Sequence, residues 1–138
     1  QINHSHTLQQ GTVRGMHYQL PPHAEMKLVS CLKGEIWDVV VDMRAGSPTF
    51  LHWYAVTVSS EKRNALLVPE GCAHGFQALS DNVEVVYCVS QAYEPSSERS
   101  VNPTDTRLAI DWPLPITLMS QKDEQAPMLA DDFAGVEL

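Results

Sequence analysis

Two short segments decide the fold: Arg14-Gly15-Met16-His17-Tyr18-Gln19 and Pro69-Glu70-Gly71-Cys72-Ala73-His74-Gly75-Phe76. Each places an imidazole close to glycine, within a chain whose other segments mostly have the composition of β-strands. Strands of a small barrel direct alternate side chains inward, so His17 and His74 could project into one interior. We therefore predict that this interior is the active site.

Length and composition favour one soluble globular domain across residues 1–138. The chain is 43% apolar, which is ordinary for a protein with a sizeable core. No apolar run approaches the ~20 residues of a membrane span, and the first residues lack the apolar core of a signal peptide. The net charge of -8 argues against non-specific nucleic-acid binding. If the ligand is anionic, Arg14 and Lys27 are the candidate cations.

The three cysteines, Cys31, Cys72 and Cys88, are an odd number without Cys-x-x-Cys spacing. Neither a disulfide framework nor a zinc knuckle is indicated. We expect a reducing, cytoplasmic location.

Short strands separated by turns predict an all-β sandwich or small barrel. Lys27–Leu32 and Glu35–Asp42 flank Lys33-Gly34 and are interpreted as a hairpin. Residues 77–79 and 83–89 are interpreted as a second pair around a Ser-Asp-Asn turn. Further strands are expected in residues 1–10, in 50–58 and, as a short buried strand, in 65–69.

The chain changes character after Pro95. Residues 96–105 are predicted to be a polar loop, and Leu108–Pro113 a packing segment. Ser120 and Asp123 have the spacing of a helix capping box. A short helix from about Gln121 to Phe133, interrupted by Pro127, would follow.

The spacing of the two motifs resembles that of the cupin superfamily, a double-stranded β-helix or jelly-roll barrel. Five residues separate Gly11 from His17, six separate Lys27 from Gly34, and the second segment carries Pro-x-Gly-x-x-His. In metal-binding cupins a second His and a Glu stand where this chain has Gln19 and Lys27. A protonated lysine has no lone pair for a metal ion, so we expect no metal and no other cofactor. A cation beside a histidine suits proton abstraction next to a carbonyl, with the enolate stabilised electrostatically.

The chain as a whole resembles the dTDP-4-dehydrorhamnose 3,5-epimerase family, the third enzyme of dTDP-L-rhamnose synthesis. The matching blocks run in order from residue 1 to about Leu129, and they are Arg14–Pro22, Lys27–Val29, Asp38–Arg44, Ser47–Phe50, Ala73–Phe76 and Asp111–Pro113. The resemblance implies one cupin-like domain over residues 1–138, with strands mostly in 1–95 and a loop and short helix in 96–138. Family members carry a further segment before the equivalent of Gln1, including a strand exchanged within a homodimer. We therefore expect a truncated chain or a shorter relative.

The resemblance also implies roles for individual residues. His17 would be the general base and Asp123 its carboxylate partner. Tyr87 would donate a proton from the opposite face, and Lys27 would stabilise the enolate. The expected contacts to a dTDP-linked keto-sugar are Arg14, His74, Asn3, Gln19, Tyr93 and Lys122.

Ordinary structural roles remain open for several of these residues. Lys27 could lie along the surface at a strand end, Tyr87 could be core packing, and Asp123 could be a helix cap. Asp38 and Asp42 share one strand face, where Asp42 is expected to be solvated and Asp38 could support a histidine. Alternative functions are a 3-only or 5-only epimerase, a metallocupin that uses His17, His74 and Gln19, and a nucleotide-sugar binding module without turnover.

Overall fold

Two antiparallel β-sheets make up the computed structural model, which describes residues 1–138. The elements are β1 (Ile2–Thr7), β2 (Val13–Gln19), β3 (Lys27–Lys33), β4 (Glu35–Asp42), β5 (Trp53–Ser59), β6 (Ala65–Val68), β7 (Cys72–Ala78), β8 (Val83–Val89), β9 (Glu98–Ser100) and α1 (Gln121–Glu124). One sheet has the order β1-β8-β3-β6 and the other β5-β4-β7-β2-β9. The all-β prediction is confirmed.

Both predicted hairpins are wrong, because the chain changes sheet at each turn. β3 pairs with β6 and β8, whereas β4 pairs with β5 and β7. In the same way β7 lies in the five-stranded sheet and β8 in the four-stranded one. Gly34 has φ +76°, and a Cβ there would lie 2.6 Å from Ser80 Oγ, so this turn needs glycine. A turn signal in the sequence does not state whether the strands beside it stay in one sheet.

The main hydrophobic core lies between the two sheets. Its residues come from strands of both, including Val29 and Val85 from one and Ile36 and Phe76 from the other. Strand β6 contributes less than expected: Leu67 is 59% exposed, since β6 is an edge strand whose alternate side chains face solvent. The prediction of a buried strand there is therefore wrong.

A second core covers the outer face of the five-stranded sheet with the C-terminal segment. Leu108 is buried there, and Trp112 packs edge-on against Trp37 at 5.6 Å between ring centroids, so the predicted packing segment is confirmed. Helix α1 ends at Glu124, well short of Phe133. Pro127 has no N–H with which to continue it. The expected polar loop contains β9, which pairs with β2.

Asp42 is buried rather than solvated, which corrects the expectation from the sequence. Its carboxylate accepts hydrogen bonds from Arg44 Nε at 2.8 Å and Nη2 at 2.9 Å, and from the hydroxyls of Ser47 and Thr49. The Arg44 hydrogen bonds hold the pKa of this carboxyl well below its usual value. Asp42 thus ties down the turn after β4.

No helix in the structure combines the length and the apolar character that a bilayer crossing requires.

Candidate active site

Two glycines bring the halves of the site together. A Cβ on Gly15 would lie 2.5 Å from the Cα of Gly75, and a Cβ on Gly75 would lie 2.5 Å from Met16 Sδ. Strands β2 and β7 can approach this closely only because both positions lack a side chain. The register shifts at this point, and beyond the irregularity His17 stands opposite His74. Directly paired residues of antiparallel strands share a face, so both imidazoles lie on one side of the sheet.

His17 is hydrogen-bonded to a carboxylate 106 positions away in the chain. Its Nε2 lies 2.7 Å from Asp123 Oδ1, and the two side chains are 30% and 4% exposed. A neutral imidazole that donates through Nε2 keeps its lone pair on Nδ1. The pair therefore holds a base with one free nitrogen, backed by a buried acceptor.

Asp123 also takes part in the helix cap that the sequence left open, but with its backbone and not with its carboxylate. Ser120 is the N-cap of α1, and its Oγ accepts from the Asp123 backbone N–H at 3.1 Å, while the Asp123 carboxylate accepts from His17 and from Gly15 N at 3.3 Å. Burial raises the pKa of the carboxyl, but the hydrogen bonds from His17 and Gly15 outweigh it, and the pKa lies below its usual value. Asp123 is therefore favoured as the anion.

His74 has its own buried carboxylate. Its Nε2 lies 2.6 Å from Asp38 Oδ1, with side chains 11% and 0% exposed. Asp38 lies on the neighbouring strand β4, two residues from the position paired with His74. The sequence predicted Asp38 as a possible support for a histidine, and the geometry agrees.

Lys27 points into the interior rather than along the surface. It is 8% exposed, and its Nζ lies 3.1 Å from Glu25 Oε1 and 3.5 Å from the carbonyl oxygen of His17. Glu25 was missed by sequence reasoning. The available signal was its position two residues before Lys27, because residues i and i+2 of an extended chain share a side.

Two adjacent cavities share His17, Lys27 and Tyr87 as wall residues. The first has a volume of about 330 Å³ and the second about 160 Å³. Tyr87 lies on β8, in the sheet opposite to that of His17. It also packs against the main core, so the structural role is confirmed and the role as proton donor stays a prediction.

Most of the predicted binding residues reach these cavities. Asn3, Tyr93 and Lys122 line the first, whereas His74 and the exposed Arg14 line the second. Arg14 makes no ion pair within the protein, so its charge is free for a ligand.

Glu98 joins two of these residues and was not foreseen. Its carboxylate accepts from Lys122 Nζ at 2.7 Å and from the Tyr93 hydroxyl at 2.8 Å. These hydrogen bonds raise the pKa of both donors. Burial raises the pKa of Glu98, but the same bonds outweigh it and the net shift is downward. Glu98 therefore fixes the rim of the first cavity.

Gln19 lines the first cavity, but its amide is already occupied. Its Nε2 donates to the carbonyl of His23 at 2.8 Å, and its Oε1 accepts from Glu94 N at 2.7 Å. Gln19 therefore holds two loops together, and its contact to substrate stays a prediction.

The two cavities bring together imidazole, carboxylate and ammonium groups. No group of three or more His, Cys, Asp or Glu side chains is arranged to hold a metal ion. The Nε2 atoms of His17 and His74 are each engaged by a carboxylate, and an ammonium group stands beside them.

The fold and the site define a cupin-type barrel in which two carboxylate-bonded histidines face adjacent cavities. The family profile of dTDP-4-dehydrorhamnose 3,5-epimerase matches residues 1–131. The chain belongs to this family, as its motifs predicted.

Individual relatives agree with this assignment. The chain is 44% identical to dTDP-4-dehydrorhamnose 3,5-epimerase of Shigella flexneri over 95% of its own length and 72% of the relative's. It is 42% identical to dTDP-4-dehydrorhamnose 3-epimerase of Streptomyces niveus over 88% of its own length and 58% of the relative's. A crystal structure of the Legionella pneumophila 3,5-epimerase in complex with dTDP-4-keto-L-rhamnose superposes with a TM-score of 0.90 at 42% identity, over 100% of this chain and 74% of that one. The chain therefore spans about three fifths to three quarters of the length of these relatives.

Proposed function

We propose that the protein is a metal-independent epimerase that inverts C3 and C5 of a dTDP-linked 4-keto-6-deoxyhexose. The observation that carries the proposal is the position of three side chains around shared cavities. His17 and Tyr87 belong to opposite sheets, and Lys27 stands in the same walls. Inversion requires a proton acceptor and a proton donor on opposite faces of the carbon, which this arrangement supports.

The steps follow from the chemistry of the groups. His17 Nδ1 removes the proton from the carbon next to the C4 ketone, while Asp123 orients the ring and stabilises the imidazolium. Negative charge moves to the C4 oxygen, where the Lys27 ammonium stabilises the enolate. Tyr87 then donates a proton to the opposite face of the same carbon. Exchange of His17 and Tyr87 with solvent restores both groups.

The relatives and the cavity support the proposed substrate class. The Legionella structure contains dTDP-4-keto-L-rhamnose, and the unpaired Arg14 together with His74 offers positive charge or hydrogen bonds for a diphosphate. Asn3 and Tyr93 line the first cavity, where a nucleotide base could stack on the aromatic ring.

Inversion at C3 alone is the second candidate, favoured by the Streptomyces niveus relative named a 3-epimerase. The outcome depends on how long the enolate is held and on where Tyr87 stands relative to each carbon. The same experiment separates the two candidates.

The test is a proton NMR time course of dTDP-4-keto-6-deoxyglucose in deuterated water with chelator present. The 3,5-epimerase replaces the C3 and C5 protons by deuterium, whereas the 3-epimerase replaces only the C3 proton. Binding of dTDP without any exchange would instead identify a binding module. Exchange that needs added metal would favour a metallocupin.

We also propose that the protein is a homodimer and that it is located in the cytoplasm.

The outer face of the four-stranded sheet carries a row of exposed, cross-strand neighbours that a partner could cover: Ile2, Cys88, Leu28 and Leu67. The three cysteines are unpaired, as a reducing compartment favours. Light scattering that shows a monomer, or a denatured chain with fewer than three titratable thiols, would contradict these two proposals respectively.

A further inference from the structure

Lys27 forms a buried ion pair in the wall of the first cavity with Glu25, a residue that has no role in the steps above. Glu25 Oε1 lies 3.1 Å from Lys27 Nζ, and the two side chains are 10% and 9% exposed. Both line the first cavity, and Lys27 also lines the second. Glu25 is therefore the charged group closest to the ammonium that would meet the enolate.

A buried ammonium cannot keep its charge and position without compensation. Removing it from water is costly, and an unpaired buried lysine either loses its proton or turns toward solvent. The other contact of Lys27 Nζ, to the His17 carbonyl, is 3.5 Å long and weak. Glu25 thus supplies most of the compensation, and one of the three N–H donors remains for a ligand.

The second lysine of the same cavity provides a comparison. Lys122 is also paired with a glutamate, Glu98, at 2.7 Å, but its side chain is 55% exposed. Water can solvate Lys122 in place if that pair is broken, whereas the Lys27 side chain, at 9% exposure, is much less accessible to water. Dependence on the partner carboxylate should therefore be strong for Lys27 and weak for Lys122.

We propose that Glu25 is a positioning residue that keeps Lys27 charged and fixed in the wall between the two cavities. The inference rests on the proposed function, because it gives a reason for holding an ammonium at the enolate oxygen. The carboxylate also opposes the enolate charge, but a neutral or displaced lysine would stabilise the enolate less.

The kinetic test is a double-mutant cycle with Glu25→Gln and Lys27→Met. Glu25→Gln preserves shape and removes the charge, and we expect kcat to fall about tenfold, or about 1.4 kcal/mol, without a rise in KM. If Glu25 acts through Lys27, Glu25→Gln causes no further loss in the Lys27→Met protein. An equal loss in both backgrounds, or an unchanged kcat in the single variant, would overturn the proposal.

Glu98→Gln is the matched control, because it removes one negative charge from the same cavity. Its effect on kcat and KM should be the same with and without Lys27→Met. If the effect of Glu98→Gln on kcat depended on Lys27 as strongly as that of Glu25→Gln, the negative charge of the cavity, and not the positioning of Lys27, would explain the result.

A second readout does not depend on turnover. The chain has four lysines, so ¹⁵N NMR of the side-chain ammonium groups can assign Lys27 from the signal lost in Lys27→Met. We expect Glu25→Gln to shift or abolish that signal and to leave Lys122 unchanged; an unchanged Lys27 signal overturns the inference. If this signal depends on Glu25 but the wild-type protein exchanges no substrate proton, the proposed function fails while the positioning role stands.

Discussion

The two histidine–aspartate pairs of the site have the same chemistry but different surroundings. In each, Nε2 bonds to a buried carboxylate, at 2.7 Å for His17 and 2.6 Å for His74. His17 is 30% exposed and lines both cavities, while His74 is 11% exposed and lines only the second. In the proposed mechanism, access to the cavities, more than the hydrogen bond itself, distinguishes His17 as the base from His74.

The carboxylates differ as well. Asp123 comes from the far end of the chain, lies in a helix turn capped by Ser120 and accepts a second hydrogen bond from Gly15. Asp38 lies on an adjacent strand, and its Oδ2 has no partner. An acceptor with both oxygens satisfied holds an imidazole in one orientation, which suits proton transfer at a fixed atom.

Replacing each histidine gives the largest expected difference between the pairs. We expect His17→Ala to lower kcat by about 10³-fold, the range of a lost general base. His74→Ala should mainly raise KM, by about tenfold, which corresponds to one lost hydrogen bond. Steady-state kinetics of both variants measures this, and a larger kcat loss for His74→Ala would reverse the two roles.

Replacing the carboxylates should also lower kcat more for the His17 pair than for the His74 pair, but by smaller factors than replacing the histidines. In Asp123→Asn the amide can donate to His17 Nε2, which moves the ring proton to Nδ1 and blocks the base; we expect kcat to fall about 10²-fold. Asp38→Asn should leave kcat nearly unchanged. Imidazole ¹⁵N shifts would report the tautomer, and equal kcat losses in the two variants would show that the pairs are equivalent.

Acid should weaken the stabilising contribution of Asp123. The pKa of this carboxyl is lower in the folded protein than its usual ~3.9, so its contribution is present above that value and is lost as pH falls through the folded-state pKa. The difference in unfolding free energy between wild type and Asp123→Asn should therefore shrink below about pH 4. Urea titrations at several pH values would test this, and a difference that grows in acid has the wrong sign.

Removing the N-cap residue Ser120 should lower kcat less than replacing His17 or Asp123 does. Ser120→Ala deletes the acceptor of the Asp123 N–H and should cost about 1 kcal/mol of stability. A fewfold fall in kcat should accompany it, because the carboxylate of Asp123 is then held less firmly. Ser120→Thr keeps a hydroxyl and should restore both quantities. If Ser120→Ala lowered stability but left kcat unchanged, the helix cap would not contribute to holding the His17–Asp123 pair.

Patterns within a few residues predicted much of the fold. The sequence analysis singled out the segments in which glycines accompany His17 and His74, and Gly15 and Gly75 of these segments meet in the structure. The turns at Lys33-Gly34 and at Ser80–Asn82 were also found, but their strands go to opposite sheets. That choice depends on which faces pack together, a property of the whole chain.

The candidate site divides in a similar way. The spacing of residues along a strand could have suggested the partners of both Asp38 and Glu25. The sequence analysis named Asp38 as a possible support for a histidine and did not name Glu25. Asp123 could be paired with His17 only through the family resemblance, because no local pattern links residues 106 positions apart. Gln19 lies in the cavity wall as predicted, and its hydrogen bonds to the backbone of two loops could not be foreseen from local sequence.

The central claim is that His17, with Asp123 behind it, takes the proton next to the ketone. Its most direct test is the rate of deuterium incorporation into dTDP-4-keto-6-deoxyglucose by wild type, His17→Ala and His74→Ala, each saturated with substrate. We predict rapid incorporation with wild type and with His74→Ala, and none above background with His17→Ala. Incorporation by His17→Ala at a rate near that of wild type would contradict the account.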